Sequence, residues 1–329
     1  MEDKFEIFLS CCFEIDFGTV KLSERQKNFC SELSNEVVSL CESLPKSTQA
    51  DALLLLMKYF QIPFGQELSF FMNYYAPAWS IIYWLIESGR ESGGLEEEDI
   101  KNAKTAHSMA LLLHPIDDHL NDNEWPASHL ALLLRSQLWL TMSNAMNSLA
   151  DEVDGGEKIM TDFLDDYYSS IRDAKEILSL DNYCDLFRKQ MATGYISPAL
   201  IMKKMGTNEE CDHAIRAAYG SFGVAWRLLD DINDIQTDMM TASKSAVYSC
   251  LPTNIRDHWN KCGKEAFDEQ SVHAKAILVY IQENGTIEKI KERICNELDS
   301  AADTADDYNM TGLADEFRCL LEPLKIDLN

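Results

Sequence analysis

Two short stretches hold the residues with the clearest chemical potential. LLLHPIDDHLND, residues 111–122, sets Asp117, Asp118 and Asp122 with Asn121 directly behind an apolar run and a histidine. GSFGVAWRLLDDINDIQTD, residues 220–238, sets Asp230, Asp231, Asp234 and Asp238 behind Arg227. Asp118 and Asp122 are i, i+4 neighbours, and so are Asp230 and Asp234, so each stretch, if helical, aims carboxylates at one point. Asp-Asp pairs also begin at 165 and 306, so a bare pair carries no information. The pairs at 117 and 230 differ because a further acid lies at helical reach on a strongly apolar segment. Like charges stacked on one helix destabilise it. Two readings follow: two solvated helix faces, or two halves of one divalent-metal site. All-oxygen ligands would select Mg²⁺, or Mn²⁺, over zinc or copper. Mg²⁺ is typically held by one or two carboxylates and completed by phosphate oxygens and water. Acidic helices across a cavity would then grip a diphosphate and neutralise its charge as it leaves.

The elements that must position these acids are helical. Ile215, Ala218, Phe222, Ala225, Leu229 and Ile232 form a 3-4-3-4-3 stripe through the second stretch, and Arg227, Asp231, Asp234 and Asp238 form another. Ile287, Ile290, Ile294 and Leu298 mark a further amphipathic helix. Ser23 with Gln26 resembles a capping box, and Asp181 is a candidate cap for the helix at 181–191. Turn signals fall at 43–48, 87–94, 154–157, 205–209 and 240–245. No segment alternates with period two, and no repeat or linker divides the chain. The expectation is one all-α domain over 1–329, a bundle of about ten helices. Residues 1–65 are helices of uncertain role, and 66–329 form the catalytic bundle.

Composition excludes several functions. The net charge of −26 argues against nucleic acid or an anionic membrane as partner. Ten scattered cysteines without C-x-x-C spacing argue against a zinc or redox site and suit buried thiols in a reducing compartment. No apolar run has the length of a spanning helix, and the N-terminus does not read as a signal peptide. These features lead to the expectation of a soluble cytoplasmic protein.

The residues resemble the trans-isoprenyl diphosphate synthases, within the isoprenoid synthase superfamily, from about residue 70 onward. DDHLND resembles the first aspartate-rich motif and DDIND the second. PASH (126–129), ATGYISPALI (192–201), SKSAVYSCLP (243–252) and ENGTIEKIKE (283–292) resemble the flanking elements. The third of these puts Lys244 where the family's diphosphate-contacting lysine stands. The resemblance implies a helical bundle around a deep cavity. Asp117, Asp118, Asp122, Asp230, Asp231 and Asp234 would surround up to about three Mg²⁺ ions. It also implies a polyprenyl diphosphate substrate and a homodimer.

The departures bear on the reaction. Chain-elongating members hold a second diphosphate, that of isopentenyl diphosphate, with a basic GK-R-x-R-P motif. Here that segment reads MNYYAP (72–77), with no basic residue. The family's Arg-Arg-Gly reads Asn123-Glu124-Trp125, the lysine of its KTG is Ala192, and its FQ is Trp226-Arg227. A buried dianion without paired cations is not tolerated. FFMNYYAPAWSIIYWLI (70–86) reads either as an aromatic core helix or as a wall of π-faces that stabilises a cation and excludes water. The reading is a class I terpene cyclase built on a prenyltransferase frame. Asp117, Asp118, Asp230, Asp231 and Arg227 are its candidate catalytic residues. Arg227, Lys244, Arg188, Lys189, Tyr75, Trp79, Phe222 and Trp226 are its candidate substrate contacts. The NSE metal motif of cyclases is absent, since its spacing from Asn233 meets Thr237 and Thr241. The alternatives are a prenyltransferase, either chain-elongating or using another acceptor, and a non-catalytic synthase subunit.

Overall fold

The computed structural model describes residues 2–121, 125–172, 177, 179–262 and 271–326. Asp122, Asn123 and Glu124 lie outside these residues, and with Asp122 one expected metal ligand. The described residues form sixteen helices and no strand. The sequence suggested about ten; the excess comes from short helices and from helices that meet end to end. In order they are α1 (Glu2–Phe13), α2 (Glu24–Ser43), α3 (Gln49–Tyr59), α4 (Pro77–Ser92), α5 (Glu97–Asn121) and α6 (His129–Ala150). Next come α7 (Gly156–Arg172), α8 (Leu180–Gln190), α9 (Ala192–Lys204), α10 (Glu209–Asn233) and α11 (Ile235–Thr241). The order ends with α12 (Ala246–Ser249), α13 (Thr253–Cys262), α14 (Val272–Glu283), α15 (Thr286–Asp307) and α16 (Thr311–Ile326).

Local chemistry fixes several boundaries. At the start of α2 the Gln26 N–H donates to Ser23 Oγ, and Gln26 Oε1 accepts from the Ser23 N–H at 2.9 Å, a complete capping box. The cap of α8 is Ser179 rather than Asp181: its hydroxyl accepts from the Asn182 N–H at 3.2 Å. Asp181 lies in the first turn instead, where its charge favours the positive helix end. The turn expected at 87–94 is mostly helix. Pro77 starts α4 at a position where no N–H is needed, and Gly93 stops it at φ 70°.

A single hydrophobic core runs from Leu9 to Leu324. All six residues of the apolar stripe on α10 are buried, and α10 packs most extensively on α15. Burying one such large side chain contributes about 1.5–3 kcal/mol. Repulsion between stacked carboxylates costs a few tenths. The apolar face therefore sets the rotation of α10, and the acids go where that rotation carries them. Both α4 and α9 pack against α5 and against α10, and so bridge the two acid-bearing helices. No described helix is long and apolar enough to cross a membrane.

Candidate active site

Two ring pairs relate α5 and α10, His107 with Tyr219 and His114 with Trp226, so the chain advances the same way along both helices. On α5, His107, Leu111, His114 and Asp118 lie at steps of four, three and four, on one face. On α10, Tyr219, Phe222, Trp226 and Asp230, at steps of three, four and four, also share one face. The His107 and Tyr219 rings are 6.1 Å apart, and the His114 and Trp226 rings are 6.3 Å apart. Above them Asp118 is near enough to Asp230 for its charge to act on that carboxyl. Burial first, and then the charges of Asp231, Asp234 and Asp118, push Asp230 up to about 6 against the pull of Arg227.

Below the His114 and Trp226 rings the two helices share one backbone carbonyl of α4. Both the His107 Nε2 and the Tyr219 hydroxyl bond the Ala78 carbonyl, at 2.9 and 2.8 Å, and both residues are buried. Leu111, His114, Met191 and Trp226 keep part of their surface exposed although they sit within the bundle. Gly223 makes room on α10: a Cβ there would meet the Met191 sulfur at 1.9 Å. From Asp118 down to Leu111 the helix rises about 10 Å, and to His107 about 16 Å, at 1.5 Å per residue.

Each motif contains one aspartate that is tied back into the protein. Asp117 accepts a two-pronged guanidinium from Arg135 on α6, Nε to Oδ1 and Nη2 to Oδ2, each at 2.8 Å. The Tyr167 hydroxyl on α7 adds a third bond to Oδ2 at 3.0 Å. Asp231 is buried, with Arg227 Nε at 3.1 Å from Oδ1 and the Ala246 N–H at 2.7 Å from Oδ2. Arg227 Nε also donates to the Tyr183 hydroxyl at 2.9 Å, and Nη1 reaches Asp230 at 3.3 Å. Asp118, by contrast, is exposed and makes no hydrogen bond or ion pair with a described residue. Asp234 is exposed one turn beyond Asp230. Asp238 is buried with one oxygen unpartnered, and burial followed by the charge of Asp231 pushes it up to about 7.

This donor set suits Mg²⁺. It consists of hard carboxylate oxygens, with an orphaned oxygen of Asp238 behind them. Among the described residues, no three His, Cys, Asp or Glu side chains converge closely enough to hold an ion by themselves. The candidate ligands come as one or two per side, the arrangement Mg²⁺ adopts when phosphate completes its shell.

The other candidates divide. Lys244 is exposed on the loop after α11 and pairs with no described residue. Arg188 is taken up by Glu297 at 2.6 Å and Asp185 at 3.1 Å, and Lys189 lies 3.9 Å from Asp166. Trp226 and Tyr75 are partly exposed, whereas Trp79 and Phe222 are buried in the core.

Arg135 did not figure among the sequence candidates. Its signal was there: α6 is twenty-two residues long and Arg135 is its only Asp, Glu, Lys or Arg. The N-terminal segment did not figure either. Asp16 accepts from the Tyr75 hydroxyl, and the Phe17 and Tyr75 rings meet edge to face at 4.8 Å. The Asn233 amide, inside the second motif, donates to the carbonyls of Cys12 at 2.8 Å and Ile15 at 3.1 Å.

No protein-family model and no curated protein sequence matches the chain. Solved structures do. A geranylgeranyl pyrophosphate synthase superposes with a TM-score of 0.63 at 11% identity, over 89% of this chain and 98% of that one. A decaprenyl diphosphate synthase from Rhodobacter capsulatus gives 0.58 at 12%, over 91% and 99%. A geranylgeranyl pyrophosphate synthase from Corynebacterium glutamicum, complexed with isoprenyl diphosphate and magnesium, gives 0.54 at 12%, over 88% and 98%. The chain has the all-α fold of the trans-isoprenyl diphosphate synthases.

Proposed function

We propose that this protein is a Mg²⁺-dependent enzyme that ionises one allylic polyprenyl diphosphate and cyclises the resulting cation, in the manner of a class I terpene synthase. What supports the reading is the nearness of Asp118 to Asp230 at matching ends of α5 and α10, above the partly exposed Leu111, His114, Met191 and Trp226. The diphosphate sits between the acidic helix ends, and the prenyl chain lies below, along these four residues. Asp118, Asp230 and Asp234 are the residues that would hold the ions. Bound Mg²⁺ supplies the positive charge that stabilises the departing diphosphate. Lys244 adds charge from the loop after α11, which the Ala246 N–H joins to Asp231. Trp226 and His114 offer aromatic faces to the cation and keep water away from it. The floor at His107 and Tyr219 favours short chains over long ones.

A second diphosphate has little to bind it. The segment where the resembling family carries basic residues contains Tyr75, and its hydroxyl partner is the acidic Asp16. Prenyl transfer is the second reading, either to isopentenyl diphosphate or to an uncharged acceptor. It is favoured by the likeness of the fold to prenyl diphosphate synthases. A homodimer belongs to either reading by analogy and is measured by sedimentation.

One experiment separates the two. The protein is incubated with Mg²⁺ and geranyl, farnesyl or geranylgeranyl diphosphate, with and without isopentenyl diphosphate. Hydrocarbon or alcohol released from the single substrate supports cyclisation. A longer diphosphate, formed only when isopentenyl diphosphate is present, replaces it with chain elongation.

A further inference from the structure

The two motifs share a division of labour that their sequences do not reveal. In each, one aspartate of the Asp-Asp pair is held by an arginine and lies beside a tyrosine, and its neighbour stands near its counterpart in the other motif. We infer that Asp117 is a positioning residue, anchored by Arg135 and Tyr167, and that the metal-facing carboxylate of its Asp-Asp pair is Asp118. This rests on the proposed metal-diphosphate reading and departs from the assignment that the family resemblance implies.

Geometry carries the inference. Adjacent helical residues point about 100° apart. Asp118 shares its face with His114 and His107, both of which meet rings on α10. Asp117 is turned instead toward α6 and α7, where its two oxygens accept three hydrogen bonds. Its side chain is 14% exposed and that of Arg135 is 29% exposed. Tyr167 is buried, and the Arg135 guanidinium lies 5.4 Å from the centre of the Trp139 ring. A planar guanidinium paired two-to-two with a carboxylate is the strongest common form of this contact. An ion binding Asp117 would have to displace that fork and leave a half-buried arginine unpaired. Asp118 asks for no such exchange.

The anchor also explains why α6 keeps a lone charge in an otherwise uncharged helix. Arg135 ties α6 to the C-terminal end of α5, and Tyr167 ties α7 to the same carboxylate. Both helices thereby orient the turn that presents Asp118. On α10 the parallel is partial: Arg227, from the same helix, and the Ala246 N–H hold Asp231, while Asp230 keeps one 3.3 Å contact to that arginine.

The test counts Mn²⁺ by electron paramagnetic resonance on the full chain, with and without inorganic diphosphate. Thermal melts run in parallel. For the unaltered protein, diphosphate-dependent Mn²⁺ binding is expected. Asp118→Asn is expected to weaken it by about tenfold or more, the loss of one charged ligand contact. Asp117→Asn is expected to change it by less than about twofold while lowering the melting temperature. Arg135→Met guards against a misfolded Asp117 variant. It leaves the Asp117 carboxylate unpaired beside Asp118, so Mn²⁺ affinity is expected to hold or rise. If Asp117→Asn folds and loses as much Mn²⁺ as Asp118→Asn, or Arg135→Met folds and weakens binding, the inference is overturned and the metal reading stands. If the unaltered protein binds no Mn²⁺ with diphosphate, both go together.

Discussion

Asp118 stands near Asp230 at matching ends of α5 and α10, and its charge adds to the burial and the neighbouring aspartates that hold the Asp230 carboxyl up near 6. That crowding is a cost the metal-free protein carries, and a cation relieves it. Removing either charge is therefore expected to stabilise the metal-free protein. In the presence of a chelator, Asp118→Asn should melt about 1–3 °C above the unaltered protein, the size of a small gain in a chain this long. With Mg²⁺ and inorganic diphosphate the order should invert, because only the unaltered protein gains from the ligand. Differential scanning fluorimetry under the two conditions reads both signs. An Asp118→Asn variant that melts lower in both would mean the carboxylate makes a favourable contact inside the protein.

Glu316 gives the fold a separate dependence on pH. It is buried on α16 and accepts from Gln26 at 2.7 Å, from Trp84 at 2.9 Å and from the Ser80 hydroxyl. Burial outweighs these three donors and pushes the carboxyl up to about 7 from an ordinary 4.5. The native state thus keeps a proton that the unfolded chain gives up. The associated stability is complete below pH 4.5 and is lost as pH rises through 7. The full interval corresponds to about 3 kcal/mol. Urea unfolding at pH 5 and pH 8 should show the unaltered protein losing more stability than Glu316→Gln, which cannot titrate. Equal losses would put the proton elsewhere.

The N-terminal segment is docked through a site with no spare room. The Gly18 N–H donates to the Leu320 carbonyl at 2.9 Å, and a Cβ on Gly18 would sit 1.9 Å from the Cys319 carbonyl oxygen. That neighbour is backbone and cannot swing aside. Gly18→Ala is expected to cost about 1–3 kcal/mol of local docking. The loss should release α1, the Asp16–Tyr75 bond and the Asn233 contacts together, while the remaining bundle stays folded. Hydrogen exchange read by mass spectrometry would show faster exchange confined to roughly the first twenty residues. Protection unchanged there would mean the main chain adjusts at little cost.

How much of this was legible depended on how local the cause was. The stripe on α10 and the Ser23–Gln26 box are set by residues three and four apart, and both were readable. The cap of α8 was misassigned by two residues because Ser179 and Asp181 are both good caps, and only the chain's approach decides between them. The turn expected at 87–94 is helix through Ser92: Glu87 and Arg90 pair at 3.1 Å one turn apart, and Gly93 alone supplies the left-handed stop. The aspartate motifs announced that carboxylates gather, but not which oxygens stay available. That depends on Arg135, eighteen positions from Asp117, and on Tyr167, fifty away. Contacts at such separations follow helix packing and leave no period in the sequence.

The loop bearing Lys244 is held from beneath, and this sets up a last expectation. The Trp259 indole on α13 donates to the Ser243 carbonyl at 3.0 Å, and the Ser243 N–H donates to the Asp238 carbonyl at 2.9 Å. Lys244 follows directly and reaches solvent. If Lys244 meets diphosphate, its position depends on those two bonds. Trp259→Phe keeps a buried ring but removes the N–H, a bond worth about 1 kcal/mol, and leaves the carbonyl without its partner. Affinity for Mg²⁺-diphosphate, measured calorimetrically, should fall several-fold in this variant, and should also fall in Lys244→Ala. The double variant decides the mechanism. When one residue acts through the other, the two losses do not add, and the double should bind about as weakly as Lys244→Ala alone. Fully additive losses would mean that Trp259 supports diphosphate binding by some route other than Lys244.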